Sequence, residues 1–288
     1  MTMDRESQLA TLAYHAGISH PLELANFMAQ VCHESQGLTC LEESFRYSRG
    51  IEQIPVRYAW RHGREALENA RKLAVKDKPE ALADLMYGDR MGNDAPGDGF
   101  AYRGRGYIQL TGRNNYEAAG NALDIDLVSE PHRAAEPRTA SRIAIWYWQT
   151  RVPTCVRQNL KAATMAINGG FNGLEDRQAR FVAWVARLTR RVMDGLAEGT
   201  ALPPLVATAP RALKPGSRGE DVRALQADLA HLGFTAGTGD ALVADGVFGP
   251  ATTAAVKAFQ RQLKLDADGI AGPATLAAIA TRLAPAPL

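Results

Sequence analysis

The stretch YRGRGYIQLTGRNNY at residues 102–116 decides how the chain is interpreted. Its glycines let the backbone approach a ligand closely. Gln109, Thr111 and Asn115 carry the donors and acceptors that sugar hydroxyl and acetamido groups need. No Gly-Lys-Ser/Thr follows, which excludes a phosphate-binding P-loop. The Gly-Arg-Gly at 104–106 precedes a strand-like segment and not a helix, which excludes a dinucleotide fingerprint.

An amphipathic helix lies upstream of this stretch. Four apolar residues recur at the spacing of one helix face: Leu24, Phe27, Met28 and Val31. The helix is expected to run into Cys32-His33-Glu34-Ser35 and to stop near Gly37, because glycine ends helices.

Glu34 and Glu43 are the candidate catalytic carboxylates. Hydrolysis of a glycosidic bond needs one carboxylic acid that protonates the leaving oxygen, and a second carboxylate that activates water or attacks the sugar. Glu34 lies beside the apolar helix face, where a carboxyl group ionises less readily, which suits a general acid. Glu43 follows nine residues later. A chain that doubles back would hold the two carboxyl groups roughly 6.5–9.5 Å apart, the inverting spacing. Glu42 competes with Glu43, since spacing does not exclude it.

The rest of the first two-thirds predicts a mainly helical domain with minor strand content. Helical segments are expected at 61–87, 138–149 and 174–196. Residues 91–99 are expected to be loop, because glycine and proline at that density do not sustain a helix. The alternating residues 107–111 predict a short strand. The Gly-Gly turn between asparagines at 167–173 predicts a tight loop that caps the next helix.

The last third predicts a separate, small helical domain. The Pro- and Ala-rich residues 199–212 are typical of a semi-stiff linker. In residues 213–288 the sequence DGVFGPAT at 245–252 recurs as DGIAGPAT 23 residues later. Each copy places an Asp-Gly turn ahead of a proline that can begin a helix. A preceding helix face is formed by Val222, Leu225, Leu229 and Leu232, with Gly233 at its end. We expect a bundle of about three helices, and a catalytic domain at 1–198.

Charge and composition exclude several functional classes. The net charge is +2, and residues 213–288 carry seven basic and seven acidic side chains, so a basic stripe that binds nucleic acid is not supported. No apolar run approaches the roughly 20 residues that cross a bilayer. The first residues lack the apolar region of a secretory signal peptide. The sequence therefore predicts accumulation in the cytoplasm.

The three cysteines do not suggest a disulfide framework. Their number is odd and their spacing is irregular: Cys32, Cys40 and Cys155. Buried, reduced thiols are therefore expected, and a Cys32–Cys40 disulfide is the alternative. His33 has no second histidine at the spacing of a zinc site, so no metal and no cofactor are expected.

Four segments together resemble glycoside hydrolase family 19, which holds plant-type chitinases and many phage endolysins. They are His33-Glu34-Ser35, Glu42-Glu43 ahead of Tyr47-Ser48, the run RGRGYIQLTGR at 103–113, and Ile167-Asn-Gly-Gly170 with Asp176-Arg177. The resemblance covers roughly residues 5–198. It implies a lysozyme-like, mainly helical α+β domain with a deep cleft and an inverting mechanism.

The resemblance also implies roles for individual residues. Glu34 would be the general acid, Glu43 the base that polarises water, and Thr111 a holder of that water. Arg177 would belong to a charged network that keeps the base ionised. The residues implied in sugar binding are Tyr102, Gln109, Asn115 and Asn168. Plant chitinases place acid and base much further apart in sequence, so the nine-residue spacing resembles the phage-endolysin branch.

Residues 213–283 resemble the peptidoglycan-binding domain 1 family, which attaches many hydrolases to cell walls. Together the two resemblances imply a lysozyme-type glycosidase that cleaves the β-1,4 bonds of peptidoglycan, as a monomer whose two domains both bind peptidoglycan. An endolysin of this kind would wait in the host cytoplasm until lysis and then reach the periplasm and wall. Three alternatives remain: a chitinase, a non-catalytic wall-binding protein, and an amidase or zinc peptidase.

Overall fold

The computed structural model describes residues 4–199, 202, 212–237, 239–263 and 265–283, without the side chains of 273, 274, 277, 280 and 281. These residues are mainly helical, which confirms the predicted fold class, and their β structure is limited to isolated bridges. None of the helices in these ranges is long and apolar enough to cross a membrane. The α-helices described are α1 Arg5–His15, α2 Pro21–Glu34, α3 Arg64–Val75, α4 Glu80–Tyr87, α5 Asp98–Ala101, α6 Arg113–Leu123, α7 Pro137–Arg151, α8 Leu160–Asn168, α9 Leu174–Arg187, α10 Arg190–Ala197, α11 Glu220–His231, α12 Pro250–Gln262 and α13 Pro273–Leu283. The 3-10 helices are Ile51–Gln53, Arg57–His62, Pro131–Ala135 and Thr154–Val156.

The chain divides into two compact units. Val31–Arg151 forms one unit, and Met1–Gln30 together with Val152–Leu288 forms the other. The predicted linker at 199–212 lies outside the described residues, apart from 199, 202 and 212. The proposed domains 1–198 and 213–288 therefore stay a prediction.

Two of the long predicted helices are each broken into two. The segment 61–87 contains α3 and α4, separated by Asp77, whose φ is +61°, and by Pro79, which lies ahead of α4. Proline disfavours helical geometry in the residue before it, so one continuous helix is excluded there. The segment 174–196 breaks between α9 and α10, where Thr189 is extended. The apolar periodicity continues across both breaks, so the sequence pattern predicts a single helical segment in each case.

The predicted strand at 107–111 is wrong. Residues 106–109 form a turn, and a bridge between Arg105 and Leu110 closes it. Gly106 has φ +74°, and a Cβ there would lie 2.7 Å from the Ala134 carbonyl oxygen. Gln109 also has a left-handed backbone, with φ +53°. Because a strand requires extended backbone, these two residues exclude one.

The three helices α11, α12 and α13 form the predicted C-terminal bundle. Their core includes Val222, Leu225, Leu229, Phe248, Val256, Phe259 and Ile279. Gly233, at φ +83°, follows the end of α11 as predicted, and Pro250 begins α12. The sequence pattern is thereby confirmed at both helix boundaries.

A glutamine holds each copy of the repeated Asp-Gly turn. The Gln226 Nε2 group donates to the Asp245 carboxylate and the Thr252 hydroxyl, both at 2.8 Å, and its Oε1 accepts from the Gly246 N–H at 2.8 Å. Gln260 repeats the pattern. Its partners in the second copy are Asp268 at 2.9 Å, Thr275 at 3.0 Å and Gly269 at 2.9 Å. The sequence repeat is therefore a repeat of buried hydrogen bonds.

All three cysteines are free thiols. Cys32 is buried, but Cys40 is partly exposed and Cys155 is exposed. The expectation of buried thiols is therefore correct only for Cys32.

Candidate active site

The helix that carries Glu34 ends in a tight reversal of the chain. Glu34 is the last residue of α2. The buried Ser35 hydroxyl donates to the Val31 carbonyl at 2.7 Å and accepts from the Leu38 N–H at 3.0 Å. Gly37, at φ +74°, donates its N–H to the Cys32 carbonyl at 2.7 Å. The predicted helix end at Gly37 is confirmed, and the chain doubles back directly after Glu34.

After the reversal, residues 41–43 pair with residues 104–106. Glu43 N–H donates to the Gly104 carbonyl at 2.9 Å, and Gly106 N–H donates to the Leu41 carbonyl at 2.8 Å. Between these two bonds Glu42 and Arg105 form an antiparallel bridge. The segment with the candidate base is therefore anchored to the glycine-rich stretch, 61 residues further along the chain.

Glu43 is a largely buried carboxylate with specific hydrogen-bond donors. The Tyr87 hydroxyl donates to its Oε1 at 2.7 Å, and the Gly104 N–H donates to its Oε2 at 3.2 Å. Burial raises the pKa of the Glu43 carboxyl above its ordinary value, while these two hydrogen bonds and the charge of Arg103 offset part of that rise. A raised pKa makes the ionised carboxylate a stronger base.

The tyrosines beside Glu43 stay protonated. Burial, and then the charge of Glu43, raises the pKa of Tyr47 to about 12. The same two causes, in that order, raise the pKa of Tyr87. Tyr87 therefore acts as a hydrogen-bond donor to the carboxylate over the pH range in which the protein is folded.

Glu42 has a different environment from its neighbour. Its Oε2 accepts from the Arg103 guanidinium at 2.6 Å, its Oε1 lies 3.7 Å from Arg105 Nε, and its side chain is 44% exposed. Adjacent side chains of an extended segment point to opposite faces. Glu42 is thus engaged in ion pairs near solvent, whereas Glu43 points to the half-buried tyrosines Tyr47 and Tyr87. This geometry favours Glu43 as the base.

Gly104 brings Glu43 and Gln109 together. A Cβ at Gly104 would lie 2.8 Å from Gln109 Oε1 and 3.3 Å from Glu43 Oε2. A contact under 3 Å forces a shift, so only glycine leaves both side chains in place. The Gln109 Nε2 group donates to the Gly106 carbonyl at 3.0 Å. That bond directs the amide oxygen toward the base.

Hydrogen bonds connect Thr111 to Gln109 and Asn115 to Thr111. The Thr111 hydroxyl donates to the Gln109 carbonyl at 2.9 Å, and Asn115 Nδ2 donates to the Thr111 carbonyl at 2.7 Å. Both side chains are partly exposed and keep acceptor atoms for a ligand. Tyr102 differs, because it is buried and its hydroxyl donates to the Val128 carbonyl at 3.2 Å. That position favours a packing role over sugar binding.

Glu34 is half-buried and lies within electrostatic reach of Tyr147 on α7. Burial raises the pKa of Tyr147, the charge of Arg151 lowers it, and the charge of Glu34 raises it further. The sequence analysis did not identify Tyr147 as a neighbour of the candidate acid.

Asn168 and Arg177 belong to the other compact unit. Asn168 is the last residue of α8, and Gly169, at φ +63°, caps that helix. Arg177 is buried on α9, where its guanidinium donates to the Gln30 side chain and, at 3.3 Å, to the Asn172 carbonyl. The predicted tight loop is present, but its Gly-Gly turn ends the preceding helix α8, whereas α9 begins after Gly173.

The sequence analysis missed Tyr87 and Arg103 as neighbours of the base. Arg103 is the cation that lowers the pKa of Glu43, a role that the resemblance gave to Arg177. Tyr87 is held by Asn93, whose Nδ2 donates to the Tyr87 carbonyl at 3.0 Å and whose Oδ1 accepts from the Arg113 N–H at 2.9 Å. The glycine-rich loop 91–99, interpreted only as a connection, thus supports the site.

Comparison with known families matches both parts of the chain. Residues 78–180 match the family described as chitinase class I, in glycoside hydrolase family 19. Residues 218–279 match a peptidoglycan binding domain family. The glycosyl hydrolase family 19 domain-containing protein of Haemophilus influenzae is 36% identical over 166 residues, which cover 56% of this chain and 78% of that protein.

Plant chitinases match over a shorter part. The acidic endochitinase of Petunia hybrida is 44% identical over 75 residues, and chitinase 8 of Oryza sativa subsp. japonica is 50% identical over 58 residues. These matches cover 27% and 22% of the two plant proteins. Among solved structures, chitinase C from Streptomyces griseus matches with a TM-score of 0.40 at 21% identity, covering 69% of this chain and 85% of that one.

Proposed function

Because the chain belongs to glycoside hydrolase family 19 and carries a peptidoglycan-binding domain, we propose that it is a lysozyme-type glycosidase of bacterial peptidoglycan. The bond cleaved is the β-1,4 linkage between N-acetylmuramic acid and N-acetylglucosamine. On this proposal the protein is an endolysin that acts as a monomer, and both of its domains bind the peptidoglycan of the cell wall. It has the acid/base chemistry of two carboxylates and requires no cofactor.

The proposed mechanism uses Glu34 and Glu43 on opposite faces of the sugar. Glu34 protonates the leaving glycosidic oxygen, while Glu43 removes a proton from a water molecule that attacks the anomeric carbon. The bond from carbon to the leaving oxygen breaks as the bond to water forms, so the anomeric configuration is inverted. Thr111 holds the attacking water, and Gln109, Asn115 and Asn168 bind the sugar.

The observation that carries the proposal is the environment of Glu43. A carboxylate that is half-buried, oriented by Tyr87 and Gly104, and has a raised pKa is suited to accept a proton from water. The same chain carries a wall-binding family match at 218–279, which favours peptidoglycan as the polymer.

A chitinase is the second candidate. Plant endochitinases are among the similar proteins, and chitin has the same β-1,4 bond between acetamido sugars. Turnover of chitin oligomers without release of fragments from peptidoglycan would establish this alternative.

The test is mass spectrometry of the fragments released from purified peptidoglycan by the wild type and by Glu34→Gln. Muropeptides that end in N-acetylmuramic acid, released by the wild type only, would support the proposal. Reducing-end N-acetylglucosamine would keep the mechanism but change the bond. Released peptides with intact glycan strands would refute a glycosidase and indicate an amidase or peptidase. No release at all, with wall binding retained, would indicate a non-catalytic wall-binding protein.

The proposed location is the host cytoplasm until lysis and then the periplasm and wall. Fractionation of expressing cells, before and after the inner membrane is permeabilised, checks this proposal. Fragment release only after permeabilisation is the expected result, and release from intact cells would contradict it.

A further inference from the structure

A cavity of about 510 Å³ opens on the C-terminal domain. It lies between the loop at Pro215–Gly216 and the first two turns of α12. Phe248 also borders it, although only 1% of that residue is exposed. Thr253, Ala254 and Lys257 line the helix side. Thr253 and Ala254 precede Lys257 by four and three positions, so each lies next to Lys257 on the surface of α12.

The walls of this cavity are fixed by hydrogen bonds. The Gly216 N–H donates to the Phe248 carbonyl at 2.9 Å, and the Phe248 N–H donates to the Ser217 carbonyl at 2.9 Å. The preceding residue, Val247, is held through its carbonyl by Gln226 Nε2 at 3.0 Å. A preformed site loses little conformational entropy when a ligand binds.

The cavity combines a carbon surface with one cation. Pro215, Phe248, Pro250 and Ala254 contribute the carbon surface. The ammonium group of Lys257 supplies a positive charge, and its aliphatic chain packs over Gly269, where a Cβ would lie 2.8 Å from Lys257 Cε. This packing limits the rotamer freedom that binding would remove. The Lys257 ammonium also lies within electrostatic reach of Asp268, and a ligand carboxylate would be a second anion beside it.

We propose that this cavity binds the stem peptide of peptidoglycan, with a peptide carboxylate at Lys257 and alanine methyl groups on Pro250 and Ala254. The stem peptide is short, rich in alanine and acidic, so its apolar groups and negative charge are complementary to the carbon surface and to the cation. A sugar ring would instead need an exposed aromatic face and many polar partners, and Phe248 is almost completely buried. The proposal rests on the proposed function, since it names the part of the wall polymer that the domain binds.

The experiment is calorimetric titration of the full chain, carrying Glu34→Gln so that no substrate is cleaved. Two probes are used: a synthetic stem pentapeptide, and glycan strands freed of their peptides. Lys257→Glu removes the cation, and Ala254→Phe fills the cavity while the cation stays. The matched control is Arg282→Glu, the same charge reversal at an exposed position of α13 that does not line the cavity.

We expect the pentapeptide to bind, with affinity reduced at least about tenfold by Lys257→Glu and by Ala254→Phe and unchanged by Arg282→Glu. Thermal melting of each variant verifies that it is folded. Absence of pentapeptide binding, equal loss in the control, or loss of binding to the peptide-free glycan instead would overturn the proposal.

Hydrolysis is measured separately on the soluble, peptide-free glycan strands, with the cavity variants in chains that keep Glu34. Unchanged hydrolysis together with lost pentapeptide binding supports the cavity assignment. Pentapeptide binding without any glycan hydrolysis would refute the glycosidase proposal and leave the cavity assignment standing, so the two failures are distinguishable.

Discussion

The hydroxyl group of Tyr87 donates a 2.7 Å hydrogen bond to Oε1 of Glu43, across 44 residues of sequence. A hydrogen bond to the charged form of a carboxyl group favours that form. Tyr87 therefore opposes the effect of burial, which raises the pKa of Glu43. The tyrosine is a positioning residue: it holds the carboxylate in one orientation and limits the rise of its pKa.

Tyr87→Phe should shift the acidic limb of the pH–rate profile to higher pH. A base acts when it is deprotonated, so activity falls as the pH drops through the pKa of Glu43, which already lies above its ordinary value. Loss of the donor raises that pKa further. The profile of kcat is measured on soluble oligomers, with Tyr102→Phe as the control because its hydroxyl donates to Val128. An unshifted limb in Tyr87→Phe, or an equal shift in the control, would show that Tyr87 does not act through the base.

Glu43→Gln should lower kcat by about 10²–10⁴-fold, the usual contribution of a general base. Glu42→Gln should change kcat by only a few fold, because it removes an ion pair that is partly exposed and contributes at most about 1 kcal/mol to stability. Steady-state kinetics on the same oligomers compares the two variants. The reverse order would identify Glu42 as the base.

Glu43→Gln should also stabilise the protein at neutral pH. A carboxyl group whose pKa is raised by folding favours the folded state below its unfolded pKa, and this contribution is lost as the pH rises through the folded value. At pH 7 the variant avoids the burial of a charge, so its Tm should be higher than that of the wild type. At pH 4 the difference should disappear. Calorimetric scans at both pH values test this, and a lower Tm at pH 7 would mean that the hydrogen bonds of Glu43 outweigh its burial.

Gly104→Ala should reduce activity with little loss of stability. Its new Cβ would displace Gln109 Oε1 and press on Glu43, but the amide is the end of a flexible side chain and can move aside. We expect kcat/KM to fall at least about tenfold, with the free energy of unfolding lowered by less than about 1 kcal/mol. Gly272→Ala is the control, since a Cβ there meets no atom within 4 Å. Full activity of Gly104→Ala would show that the contact between Gln109 and the base is not required.

Gln226→Ala and Gln260→Ala should each destabilise the C-terminal bundle by about 2–4 kcal/mol, because each leaves several buried donors and acceptors without partners. The exposed Gln262→Ala is the control. The free energies of unfolding are obtained from urea titrations in which wall binding reports the folded fraction. Similar values for the two glutamines are expected, and a large difference between them would mean that the two copies do not contribute equally to stability.

Local structure was the part that the sequence could predict. The end of α2 at Glu34, three residues ahead of Gly37, and the starts of the repeated helices depend on glycine and proline geometry within a few residues. The turn at 106–109 was not predicted, because the alternation of residue types at 107–111 describes side chains and not the backbone conformation. The left-handed backbone of Gln109 is imposed by tertiary contacts that no local pattern reports.

The contacts that define the candidate site are of long range. Tyr87 meets Glu43, and Arg103 meets Glu42 across 61 residues, so no spacing rule places these pairs together. The sequence did supply Glu34 and Glu43 as candidates, and it left Glu42 open. Burial and hydrogen bonding, which appear only in the folded chain, separate the two adjacent glutamates.

The pairing between residues 41–43 and 104–106 has a consequence for how the base is chosen. Side chains alternate along a paired segment, so a slip of one residue would exchange the positions of Glu42 and Glu43. Glu42 would then face the tyrosines, and Glu43 would face Arg103 and Arg105. The bonds from Glu43 to Gly104 and from Gly106 to Leu41 fix the register. Which of the two adjacent glutamates occupies the position of the proposed base is therefore set by backbone alignment as much as by the carboxyl groups themselves.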